Sequence, residues 1–272
     1  MILIDDGSTD GGAEFAQDID DRRVRVIGGG ESKGLASRLN QIAREAQGVY
    51  VARMDADDIA VPERFALQLE YLRQHPSVDV VGTNCYIMDE KGSIVGGRDC
   101  PEDHADIFRH AVGQMSVPII HPTIMARRDW FLENPYDERA RRSQDFELWM
   151  RTRSTSRFAT LPLRLLYYRQ GHAMRLRNVL YSKVNSVRYL WRHGKGEVGA
   201  AVMARCIARQ IAAVFAYSVA FAVGHEQGIV RRRPMTALSI RELRSAERRL
   251  DEVRAFAVPR KGTSILDADA ER

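Results

Sequence analysis

An α/β domain with a largely parallel sheet, followed by a helical C-terminal region, is the architecture this sequence predicts. Three observations carry that reading. Short β-branched and apolar runs alternate with stretches of helical periodicity over the first third of the chain. Carboxylates gather where several of those runs end, as they do at the ligand crevice of an open α/β sheet. Beyond Gly171, basic and apolar residues recur at helical rather than strand spacing.

Taken in order, Ile2, Leu3 and Ile4 form a buried strand that exits through the turn Asp5-Asp6-Gly7-Ser8-Thr9-Asp10. "AEFAQDIDDRR" reads as a short helix and "VRVIGG" as a strand. "GLASRLNQIAREAQG" sets Leu35, Leu39, Ile42 and Ala46 on one helical face and ends at Gly48 as a cap. "VYVARMDADD" is a short apolar strand running into carboxylates. "VPERFALQLEYLRQHP" starts a helix at Pro62 with Phe65, Leu69 and Leu72 as its apolar face, and "VDVVGTNCYIMD" is the next strand. "GRDCPEDHADIFRHAVGQ" reads as loop and helix, and "IIHPTIMARRDWFL" as a strand entering a helix. "SQDFELWMRTRS" is a helix packed through Phe146, Trp149 and Met150, and "FATLPLRLLYYRQ" a closing strand. The implied division is a domain over 1–170, a helical region over 171–260 and a disordered tail over 261–272.

The totals fit one large or two small globular domains: 272 residues, 44% hydrophobic and 28% charged. A net charge of +5, mostly arginine, suits an anionic partner without choosing among a sugar nucleotide, a membrane surface and a nucleic acid. Cys85, Cys100 and Cys206 share no metal-ligand spacing, which argues against zinc and for a reducing cytoplasm. The N-terminus runs into acid within five residues, so no secretory signal is read there. "VGAAVMARCIARQIAAVFAYSVAFAVG" is interrupted only by Arg205, Arg209 and Gln210, and "RRRP" follows at 231–234. It fits an amphipathic helix on the cytoplasmic leaflet, with the arginines meeting anionic headgroups, and equally a core or dimer-interface helix.

Asp5-Asp6 and Asp55-Ala56-Asp57-Asp58 lie at strand ends, and Gln144-Asp145 at a helix start. Crowded carboxylates repel unless a cation joins them, and hard oxygen donors suit Mg2+ or Mn2+, which in turn bind phosphate. Taken singly, Asp5 and Asp10 are ordinary turn residues. Asp58 with Pro62 and Glu63 reads as the lead-in to a helix, and Asp145 as a carboxylate favouring an N-terminal dipole. "GGGESKG" has neither phosphate-loop nor dinucleotide-fingerprint spacing, and His121, Trp130 and Trp149 read as structural.

In order along the chain, "ILIDDGSTDGG", "GLASRLNQIAREAQGVYVARMDADDIAVPERFALQLEYL", "HPTIMARRDWF" and "SQDFELWMR" with "LLYYRQ" together resemble a family 2 glycosyltransferase of the GT-A fold, from Ile2 to about His172. The resemblance implies a Rossmann-like nucleotide-diphospho-sugar transferase fold with a mostly parallel sheet, and an inverting, hexosyltransferase-type activity. Asp6 would accept from the nucleotide base, usually uracil, with Asp5 holding the loop and Lys33 or Arg38 near the diphosphate. Asp55 and Asp57 match the D-x-D signature that binds ribose and metal; Asp57 or Asp58 would hold Mg2+ or Mn2+, with His172 a further metal candidate. Asp145 matches the general base that takes the acceptor hydroxyl's proton.

The implied partners are a nucleotide-diphosphate sugar, UDP-linked by preference, and a glycan or lipid-linked acceptor in surface polysaccharide or lipopolysaccharide assembly. No nucleic acid is implied, and peripheral membrane contact at the inner face is. The family normally runs a strand, a helix and the start of a second strand before the D-D-G-S turn, so the resemblance also implies a domain lacking its first strand and helix. Two rivals are a sugar-nucleotide nucleotidyltransferase, whose glycine-rich, lysine-bearing opening loop is not visible here, and a non-catalytic scaffold that binds a partner through the C-terminal helices.

Overall fold

A computed structural model describes residues 1–28, 30–114, 118–140, 142–171, 176–194, 198–223, 235–256, 258 and 261. Among these residues two sheets form. β1 (Ile2–Ile4) and β2 (Arg25–Ile27) make a parallel pair joined through helix α1 (Gly12–Gln17), with Leu3 opposite Val26. The six-stranded sheet runs β3 (Tyr50–Ala52), β7 (Met125–Arg127), β5 (Val80–Met88), β8 (Phe158–Arg169), β4 (Ile59–Ala60), and β6 (Ile94–Arg98) also pairs with β5.

The mixed α/β class holds, but the expectation of a mostly parallel sheet does not. Within the six-stranded sheet only β5 and β8 run parallel; β3–β7, β5–β7, β5–β6 and β4–β8 are antiparallel. The reason is local. β5 turns directly into β6 through Asp89–Ser93, where Asp89 N–H donates to Ser93 O at 3.0 Å and Gly92 sits at φ +81°, and a hairpin can only pair antiparallel. β4 is two residues and β6 carries two glycines, so neither has the apolar run that marks a strand in sequence.

Helices cover this sheet. α2 (Leu35–Glu45) buries Ala36, Leu39 and Ala43, but Leu35, expected on that face, is exposed. α3 (Arg64–Gln74) departs further: Arg64, Gln68 and Leu72 face inward at i, i+4, i+8, while Phe65 lies exposed. Main-chain carbonyls at the strand ends need donors, and Arg64 and Gln68 supply them where Phe65 could not. α4 (His104–Gln114), α5 (Arg128–Glu133) and α6 (Gln144–Thr152) complete the main core. In α6, Phe146, Leu148, Trp149 and Met150 are all at most 1% exposed, each worth roughly 2–3 kcal/mol of burial. Trp130 stacks on Trp149, and its indole N–H donates to Ser156 Oγ at 2.9 Å.

Among the described residues, three helices lie in the C-terminal region. α7 (Leu176–Gly194) and α8 (Ala200–Ala222) are consecutive and packed together, and α9 (Ile240–Arg254) lies against the β6–β8 face. α9 is capped by Ser239 and Glu242 in a reciprocal capping box, and Tyr167 Oη donates to Ala246 O at 2.9 Å. The arginines at 231–233 and the tail beyond residue 261 lie outside the described residues.

Candidate active site

The chain leaves β3 at Ala52 and reaches β4 at Ile59, and the six intervening residues carry three carboxylates. Arg53 N–H continues the β3 pairing by donating to Ile124 O at 2.9 Å, and Asp58 N–H closes a turn onto Asp55 O at 3.3 Å. This turn brings carboxylate oxygens of Asp55, Asp57 and Asp58 within 4.8 Å of one another. The end of β8 straps it from the other side. Arg169 N–H donates to Asp58 Oδ1 at 2.8 Å, and Arg169 Nε donates to Asp57 O at 3.1 Å.

Burial pushes the Asp58 carboxyl up to about 7, against the hydrogen bond from Arg169, with Asp55 and Asp57 adding repulsion. Burial also raises Asp55, opposed by its ion pair with Arg53. Asp58 Oδ2 is buried with no hydrogen-bond partner. A hard divalent cation fits this donor set: it would satisfy the orphaned oxygen and relieve the mutual repulsion, through Asp57 and Asp58 with Asp55 beside them.

Asp145 occupies the first turn of α6. The two residues preceding Gln144 are in the left-handed region, Arg142 at φ 58° and Ser143 at φ 61°, an arrangement L-residues hold only when their surroundings impose it. The carboxylate is half-buried, and Oδ1 accepts from Phe146 N–H at 2.8 Å. Burial raises its pKa, opposed by Phe146 N–H and the charge of Arg53, while Asp55 adds to the rise. Arg53 is thus the common neighbour of the site. Its charge acts on Asp55, Asp58 and Asp145, and also on His121 and Tyr136, whose ring nitrogen and hydroxyl lie 2.8 Å apart. Asn40 fixes Tyr136 by bonding both its N–H and its C=O. Burial holds His121 well below its usual pKa, so it stays neutral.

The N-terminal aspartates work differently. Asp5 accepts from Ser8 N–H at 3.0 Å and Gly7 N–H at 3.2 Å, the loop-holding role anticipated for it. Asp6 commits both oxygens within the protein, accepting from Arg38 Nε, Lys33 N–H, Gly34 N–H and Ser32 Oγ at 2.7 to 2.9 Å. Those bonds hold its pKa far below the carboxylate range although desolvation works against them. A nucleotide base would therefore have to displace one of four donors to reach Asp6. Lys33 takes part through its backbone, and Arg38 joins Asp6 to a groove of about 590 Å³ that runs between β1, α2 and β3 and reaches Arg53 and Asp55. His172 lies outside the described residues.

With two carboxylate centres sharing Arg53 as a neighbour, comparison with known proteins becomes informative. The family model described as Glycosyl transferase family 2 matches residues 1–181, two-thirds of the chain. The chain belongs to glycosyl transferase family 2. EpsE of Bacillus subtilis is 34% identical over 158 residues, which cover 56% of this chain and 55% of that protein. The amylovoran biosynthesis glycosyltransferase AmsE of Erwinia amylovora is 33% identical over 142 residues, 52% of each. The chain thus spans about half the length of these curated relatives. Among solved structures, the mannosyltransferase PcManGT of Pyrobaculum calidifontis, in complex with GDP-Man and Mn2+, superposes with TM-score 0.50 at 16% identity, over 80% of this chain and 66% of that one. That likeness bears on the fold, which is the GT-A fold.

Within this family member the residues that sequence reading passed over are mostly arginines. Arg64 is fully buried: Nη2 donates to Arg53 O at 2.7 Å and Nε to Gln68 Oε1 at 3.0 Å, so it holds the backbone that leads into the carboxylate cluster. Burial lowers its pKa to about 10. Its only sequence signal is an arginine at the first turn of a helix that follows the D-x-D triplet, which is indistinguishable from a solvated charge. Arg64→Ala is expected to lower the stability by about 3 kcal/mol, from a cavity and unsatisfied carbonyls together, read as the shift of the urea midpoint at unchanged m-value.

Proposed function

We propose that this chain is an inverting, metal-dependent glycosyltransferase that moves a hexosyl group from a nucleotide-diphosphate sugar, UDP-linked by preference, to a glycan or lipid-linked acceptor. The observation that carries this reading is the pairing of a cation-accepting cluster, Asp55, Asp57 and Asp58, with a separate half-buried carboxylate, Asp145, both within electrostatic reach of Arg53. One centre suits a departing diphosphate and the other an arriving hydroxyl. Mg2+ or Mn2+, held by Asp57 and Asp58, would supply charge neutralisation for the diphosphate. The Mn2+ in the mannosyltransferase of like fold favours the same dependence here.

Asp145 acts as general base. As the acceptor oxygen bonds to the anomeric carbon, Asp145 takes the hydroxyl proton, and the bond to the diphosphate breaks with its electron pair leaving on the diphosphate oxygen. A carboxyl whose pKa burial has raised is a stronger base than an exposed one. The amylovoran biosynthesis assigned to AmsE supports surface polysaccharide or lipopolysaccharide assembly, at the cytoplasmic face of the membrane, as the setting. The test is to incubate the chain with UDP-, GDP- and dTDP-sugars, Mn2+ and candidate acceptors, and to read the product's anomeric configuration by NMR. Inversion is expected, and a retained configuration would refute the single-displacement reading.

A further inference from the structure

α8 changes character halfway along. Its first half is anchored: Met203, Cys206 and Gln210 are buried at i, i+3, i+7, and Cys206 Sγ donates to Val112 O on α4 at 3.2 Å. From residue 211 to 223 no side chain is buried and none is charged. Ile211, Phe215, Val219 and Val223 recur every four residues at 44 to 72% exposure, and Ala212, Ala216 and Ala222 are exposed between them. These exposed positions share one face of the helix, while Ala213, Val214, Tyr217, Ser218, Ala220 and Phe221 on the other face are partly covered. An uncharged apolar face of this length calls for an apolar cover, and one face of a helix is what an interfacial helix lays into a lipid leaflet.

Charge on the two helices points to which medium. α7 and α8 carry Arg177, Lys183, Arg188, Arg192, Arg205 and Arg209 and not one aspartate or glutamate. On α7, Arg177, Tyr181, Val184, Arg188 and Trp191 recur at i, i+4, i+7, i+11, i+14 and are all exposed, so cations and aromatic rings share a stripe. That composition suits an anionic lipid interface. α9 provides the internal contrast, since its exposed face mixes arginines with Glu242, Glu247, Asp251 and Glu252 as an ordinary solvated helix does.

We infer that the α7–α8 hairpin docks on an anionic membrane surface, with residues 211–223 of α8 entering the acyl-chain layer. The twelve helical residues 211–222 reach about 18 Å, less than the roughly 30 Å of a bilayer core, so with the first half of α8 packed on protein this half enters one leaflet. The inference resolves the two readings that the sequence left open for this segment by assigning the first half to the core and the second to lipid. It rests on the proposed function only in implying that a lipid-linked acceptor is met at that surface; lipid binding itself requires no catalysis.

The test mixes the full chain with phosphatidylcholine vesicles, with and without phosphatidylglycerol, and measures flotation and tryptophan emission. Trp130 and Trp149 are buried and Trp191 is exposed, so a blue shift reports the α7 stripe. The wild-type chain is expected to float with anionic vesicles and to shift its emission. Phe215→Asp with Val219→Asp should lower binding by roughly tenfold or more, and Arg177→Glu with Arg188→Glu should remove the preference for the anionic lipid. Both pairs lie on exposed positions, so the circular dichroism and nucleotide binding should match the wild type; intact nucleotide binding separates failure here from failure of the enzymatic reading. The inference is overturned if the wild type leaves both vesicles unbound. It is overturned equally if light scattering shows a lipid-free dimer that the Phe215/Val219 pair converts to monomer, since a second copy would then cover this face.

Discussion

Replacing Asp145 by asparagine is expected to lower sugar transfer by about three orders of magnitude, within the span typical for loss of a general base. Nucleotide binding should be unchanged. The substitution is close to isosteric: an amide oxygen can keep the 2.8 Å bond from Phe146 N–H, so the first turn of α6 stays in place. What it removes is the basic carboxylate beside Arg53. Because burial raises the pKa of Asp145, transfer by the wild type should rise with pH as this group ionises, and the asparagine variant should lose that limb of the profile. The check is a pH-rate profile of both proteins beside a binding isotherm for the nucleoside diphosphate. Equal rates would remove Asp145 from the chemistry, and a parallel loss of nucleotide binding would point to a displaced helix instead.

The second large effect concerns the metal cluster. Asp57→Ala with Asp58→Ala is expected to abolish stabilisation by Mn2+. A cation present at a hundredfold excess over its Kd adds about 3 kcal/mol to a protein that binds it only when folded, which a melting experiment resolves easily. The pH dependence has a definite sign. Burial raises Asp58 from 3.8 in the unfolded chain to about 7 in the fold. The native metal-free form therefore holds its proton more tightly than the unfolded form does. Its contribution to stability is complete below the unfolded pKa and is lost as pH climbs from about 4 through about 7. A divalent cation takes the proton's place, so the gain in Tm from Mn2+ should be larger near pH 8 than near pH 5. A pH-independent gain would place the cation elsewhere.

Much of this site was legible because its chemistry is carried by runs of like residues. Asp55, Asp57 and Asp58 stand together at the end of an apolar stretch, and the sequence already puts them where a strand ends. Asp145 heads a helix whose apolar face, Phe146, Trp149 and Met150, is buried as its spacing implies. The residues that organise those carboxylates left no comparable mark. Arg53 and Arg64 are buried arginines, and burial of a charge depends on groups that arrive from distant sequence, such as Ile124 O beside Arg64 and the Asp145 carboxylate near Arg53. The same cause hid the true inner face of α3, where Gln68 serves Val81 O and Thr123 O. Strand direction was misread because β4 and β6 are too short or too glycine-rich to announce themselves, and pairing is a property of partners rather than of single segments. α8 was ambiguous because one uninterrupted composition serves two environments, and only Met203, Cys206 and Gln210 against α4 and α7 separate them.

The most direct test of the enzymatic reading is calorimetric binding of UDP, with GDP and dTDP alongside, in the presence and absence of Mn2+, on the wild type and on the Asp57→Ala, Asp58→Ala variant. Binding that requires Mn2+ and vanishes in the variant is the expected result, and it would tie a nucleoside diphosphate to the cluster at the β3–β4 turn. Binding of equal strength without metal, or equal strength in the variant, would contradict the assignment of that cluster to the donor diphosphate.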